Sequence, residues 1–67
     1  MLYKASYLYP SGAIEVGNCI YANSDADAVL MADARAKVRH ADTFGLHEVT
    51  GCADDGSDLI RPVKWSA

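Results

Sequence analysis

One stretch of this 67-residue chain, NSDADAVLMADARAKVRHAD, reads with a helical period, and the segments on either side read with a period of two. A chain of this length holds one small core, so the pattern constrains it to a single helix laid on a single sheet. The helix is expected over about Ser24 to Ala41. Asn23 or Ser24 can cap it, Asp25 and Asp27 suit the positive end of its dipole, and Lys37, Arg39 and His40 suit the negative end. At a hundred degrees per residue Leu30, Met31, Ala34, Val38 and Ala41 share one arc, which is expected to face the sheet.

Four strands are expected around it. The first runs from about Leu2 to Tyr9 and turns at Pro10 and Gly12; the second runs from about Ala13 to Ala22. Ile14, Val16, Ile20 and Ala22 are expected inward, with Gly17 and Asn18 suggesting a bulge that shifts the alternation. The third is expected over about Leu46 to Cys52 and the fourth over about Asp58 to Trp65, joined through the Asp-Gly turn of ADDGS. Pro62 makes the fourth an edge strand or a broken one. Trp65 is expected to close the core. The fold class is therefore α+β: a four-stranded antiparallel sheet in β-β-α-β-β order, with one helix on one face and one domain over 1–67.

Nine Asp and Glu against six Lys and Arg give a net charge of −3, which opposes binding nucleic acid by phosphate neutralisation. The first ten residues lack the basic and apolar regions of a signal peptide, and no segment approaches the length of a membrane span, so a soluble cytoplasmic protein is expected. Cys19 and Cys52 stand far apart, outside any C-x-x-C pattern, and read as small reduced hydrophobes, partly buried. SDADA and DDGSD are explained by helix capping and turn chemistry and do not match a calcium loop. No nucleophile, base and orienting group are brought together by spacing. No catalytic residue, cofactor or metal is expected.

Candidate contact residues remain. With period two, Tyr3, Ala5, Tyr7 and Tyr9 share one face of the first strand and Leu2, Lys4, Ser6 and Leu8 the other. Placing Ala5 and Tyr7 in the core puts Tyr3 and Tyr9 at its rims, whereas the opposite register makes the tyrosines a recognition surface. Lys4 and Ser6 favour the first arrangement, because they suit the open face better than the core. On the helix Val29, Ala32 and Ala36 fall opposite the expected core stripe, flanked by Asp25, Asp33 and His40, as a second apolar strip. The expected partner-binding set is Tyr3, Tyr7, Tyr9, Asp25, Val29, Asp33, Ala36, Asp54 and Asp55.

The run of YKASYLY, a second strand, the capped helix SDADAVLMADARAKV, then LHEV and IRPVKW as a closing hairpin resembles the small phage-encoded anti-CRISPR proteins that inhibit type I surveillance complexes. The resemblance implies a non-enzymatic inhibitor that covers a functional surface of a larger protein or complex, in the host cytoplasm. Asp25, Asp33, Asp54 and Asp55 would meet Lys or Arg on that partner. The alternatives are a small nucleic-acid-binding domain and a subunit whose ligand site forms only in an oligomer.

Overall fold

The structure, a computed structural model, describes residues 1–64. The expected place of Trp65 in the core lies outside them. Strands β1 (Leu2–Leu8) and β2 (Ile14–Tyr21) precede helix α1 (Asp25–Val38), and β3 (Thr43–Cys52) and β4 (Asp58–Lys64) follow it. All pairings are antiparallel, and the strand order is β2-β1-β3-β4. This is the expected α+β fold in β-β-α-β-β order. The third strand starts at Thr43, three residues ahead of the expected Leu46, because Phe44 belongs to the core and pairs with Tyr7.

Both hairpins turn where the sequence permits positive φ. Gly12 (φ 88°) donates its N–H to the Tyr9 carbonyl at 2.8 Å, and Gly56 (φ 87°) donates to Ala53 at 3.0 Å. β4 carries Pro62 and forms one edge of the sheet, as a strand lacking one backbone donor must.

The register of β1 places Tyr3, Ala5 and Tyr7 fully inside, under the helix, and leaves Leu2, Lys4, Ser6 and Leu8 half-buried on the other face. The bulge in β2 also forms. Lys4 pairs with Cys19 and Ser6 with Val16, so Ala5 alone faces Gly17 and Asn18. The extra residue reverses the alternation along β2. Ile20 stays inside, opposite Tyr3, but Ile14 and Val16 pair with Leu8 and Ser6 and stand on the open face. They were expected inward; the bulge turns them out.

The helix is rotated from its expected orientation. Its buried line is Ala28, Ala32 and Ala36, with Val29 packed beside it, whereas Leu30 is 68% exposed, Val38 80% and Met31 37%. The cause is volume. The sheet presents Tyr3, Tyr7, Phe44, Leu46 and Ile20 to the helix, and bulky rings below call for small residues above if both layers are to interlock at native density.

The helix begins at Ser24, whose hydroxyl accepts from the Asp27 N–H at 3.2 Å, with Asp25 and Asp27 in the first turn. It ends three residues before the expected Ala41. His40 adopts a left-handed φ of 58°, its N–H reaches the Lys37 carbonyl at 3.1 Å, and the Ala41 N–H reaches the Ala36 carbonyl at 2.9 Å. That is a Schellman closure built on a residue with a Cβ. His40→Gly is therefore expected to stabilise the fold by about 0.5–1 kcal/mol, read as a higher urea midpoint with an unchanged slope.

Candidate protein-interaction surfaces

Among the described residues, the sheet has a covered face and an open one. On the open face the register brings Ile14, Val16 and Tyr21 of β2 beside Leu2, Ser6 and Leu8 of β1, and Val49 of β3 beside Ile60 of β4. Ile14 is 71% exposed, Val16 70% and Tyr21 72%. An ion pair crosses this apolar area: Lys4 Nζ lies 3.0 Å from Asp58 Oδ2, and that hydrogen bond raises the Lys4 pKa above its ordinary value. Cys19 and Cys52 are free and exposed, so their expected partial burial is corrected. A second exposed apolar line runs along the helix through Leu30, Met31, Ala34 and Val38.

Few of the sequence-predicted contact residues belong to either surface. Tyr3 and Tyr7 are fully buried and Ala36 nearly so, because they form the helix-to-sheet layer; none of them can touch a partner. Val29 is half-buried against the same core, for the same reason. Tyr9 is half-buried at the rim, its hydroxyl donating to Glu15 at 3.3 Å. Asp33 pairs with Lys37 one turn along the helix at 3.0 Å. Asp54 and Asp55 are exposed in the turn between β3 and β4, where Asp55 accepts from the Ser57 N–H at 2.9 Å and its pKa is lowered by the Ser57 side-chain and backbone hydrogen bonds.

Asp25 is drawn into a polar clasp over the end of the core. Its Oδ1 accepts from the Tyr3 hydroxyl at 2.8 Å and from Arg61 Nη2 at 2.8 Å, while Arg61 Nε donates to Glu48 at 3.0 Å. Four elements meet there: β1, α1, β3 and β4. The Arg61 hydrogen bond, then the one from Tyr3, holds the Asp25 carboxyl below the usual carboxylate range. Burial, then the bond to Asp25, pushes the Tyr3 hydroxyl up to about 12.

These shifts fix how stability follows pH. A depressed carboxyl contributes fully above its unfolded pKa of about 4, and that contribution is lost as pH falls through the lower folded value. A raised phenol contributes fully below about pH 10, and its part is lost as pH rises toward the folded value of about 12. Urea midpoints measured across pH are expected to fall at both ends. Arg61→Ala should flatten the acid limb and Tyr3→Phe the alkaline one.

The two buried tyrosines differ in one respect. The Tyr7 hydroxyl is buried with no hydrogen-bond partner, and the Arg39 guanidinium stacks 4.9 Å from the ring centroid while pairing with Glu15. Tyr7→Phe is expected to stabilise the fold by about 1 kcal/mol, since an unsatisfied buried hydroxyl is removed. Tyr3→Phe is expected to lower the melting temperature, since it strips a donor from Asp25. Calorimetry on both variants checks the opposite signs.

Among the described residues no group of three or more His, Cys, Asp or Glu is placed to hold a metal ion, and no helix is long and apolar enough to cross a membrane. Sequence reasoning missed Ile14, Val16, Leu30, Met31 and Val38 as surface residues, having placed all five toward the core. The available signals were the glycine that reverses β2 and the aromatic weight of β1 and β3, which asks for a thin helix face. No protein-family model matches the chain, and neither does any curated protein or solved structure.

Proposed function

We propose that this chain is a non-enzymatic protein-binding module that lays the open face of its sheet on a larger protein and, like the phage-encoded inhibitors it resembles, acts by covering a functional surface there. The observation that carries this reading is the apolar area formed by Leu8, Ile14 and Val16, half-buried or exposed, on a face that no element among the described residues covers. Contiguous apolar area of this kind, edged by polar groups, is the usual anatomy of a docking surface. Asp54 and Asp55 stand exposed on the β3–β4 turn, so the fitting partner is apolar at its centre and carries Lys or Arg toward one margin.

The test uses tagged chain against host lysate, with Val16→Asp as the paired variant. A stoichiometric protein captured by the parent chain, lost with Val16→Asp and blocked from its own ligand by the parent chain, supports the proposal. Recovery of no such protein, or equal recovery by the variant, overturns it. Val16 is 70% exposed, so the substitution is expected to leave the fold intact, which circular dichroism checks.

A further inference from the structure

The outward line of α1 is a separate feature, on the opposite side of the sheet from the open face. Leu30, Met31, Ala34 and Val38 lie along one side of a 14-residue helix, and all four are exposed. Two grooves run beside this line, between the helix and β2. One is bordered by Met1, Tyr21, Leu30 and Met31; the other by Asn18, Ala34, Arg35 and Val38. A helix whose fully buried residues are all alanines, while Leu30, Met31 and Val38 face water, places its bulkiest apolar groups where the described residues make no use of them.

What fits against this line is indicated by its charge and its size pattern. Asp27 stands at the start of the line and Arg35 toward its end, and neither side chain has an ion-pair partner among the described residues. In an antiparallel pair of identical helices related by a twofold axis, the start of one lies beside the end of the other. Asp27 then meets Arg35 of the second copy, twice by symmetry. The same arrangement sets Leu30 beside Ala34 of the second copy, a large side chain against a small one. The two pairings differ in register by two residues, about 3 Å along the axis, which long side chains span.

We infer that the exposed line of α1 is a self-association surface, and that its occupant is α1 of a second copy of this chain, packed antiparallel about a twofold axis. A dimer made this way leaves both open sheet faces outward. It would bind a larger partner bivalently if the proposal above is right, but it does not depend on it.

Sedimentation of the whole chain over a dilution series is the first test. A reversible monomer–dimer equilibrium is expected, with Leu30→Asp weakening it by at least about tenfold. Val16→Asp, on the other side of the molecule, should leave it unchanged. Charge then reads the orientation. Asp27→Arg alone and Arg35→Asp alone should each weaken self-association, whereas mixing the two variants should restore pairing as a heterodimer, because one helix is then wholly basic and the other wholly acidic at these positions. A parent chain that stays monomeric throughout overturns the inference, as does a dimer lost with Val16→Asp and kept with Leu30→Asp. Failure of the mixed variants to pair, with both folded by circular dichroism, overturns the antiparallel arrangement.

Discussion

Ala32→Leu is expected to cost about 3 kcal/mol or more, the upper range for forcing extra methylenes into a packed core. Ala32 is fully buried in the middle of the helix face that lies on the sheet, in one cluster with Tyr3, Tyr7 and Phe44. The added isobutyl group has nowhere to go unless the helix lifts, and lifting exposes the layer beneath. A domain of this size has roughly 3–10 kcal/mol of stability in total, so the loss removes a large share of it. Leu30→Gln, two residues away, is expected to stay within about 0.5 kcal/mol in the monomeric chain, because that side chain is 68% exposed. Urea denaturation of both variants at low concentration reads the contrast directly. A small loss for Ala32→Leu and a large one for Leu30→Gln would mean that the helix presents the other face to the sheet.

The second large effect is expected at Gly17. A Cβ built there falls 2.5 Å from Cε2 of Tyr7 and 3.3 Å from Cζ, and the ring is fully buried. Gly17→Ala is therefore expected to destabilise the fold by about 1–3 kcal/mol. The cause is steric, so it depends on the ring: in a Tyr7→Leu background the same substitution should cost markedly less, and a double-mutant cycle measures the difference. An equal cost in both backgrounds would assign the effect to the bulge backbone and not to the contact.

The order of elements was legible in the sequence because each boundary has a local cause. Ser24 offers a cap, Gly12 and Gly56 permit the turns, and Pro62 restricts its strand to an edge. The register of β1 was only half legible: Lys4 and Ser6 favour an inward Tyr7, but the period of two alone left both faces open, and it is the fully buried Tyr3 and Tyr7 that fix it. The helix orientation was not legible. Its two candidate faces are both apolar, and ranking them by hydrophobicity selects Leu30, Met31 and Val38; what decides the outcome is the volume already occupied by Tyr3, Tyr7 and Phe44 on residues distant in sequence. The contact surfaces were misread as a consequence. Once Ala32 faces the sheet, Val29 and Ala36 go with it, and the bulkier line turns outward. The bulge was seen at Gly17 and Asn18, but its effect on Ile14 and Val16 follows only when the pairing with Ser6 and Leu8 is known.

The strand order has a kinetic side. β1 with β2 and β3 with β4 are two hairpins, each closed by a short turn, and they join along the single seam where β1 meets β3. Every pairing across that seam links residues at least 35 positions apart, the nearest being Leu8 with Thr43, and the helix is part of the loop that must close. Hairpins form fast because their loops are short, whereas this seam carries the larger closure entropy of the sheet. Folding is thus expected to wait on one event, the meeting of two preformed halves, and the alanine face of the helix is what lets them meet with the rings of β1 and β3 already in place.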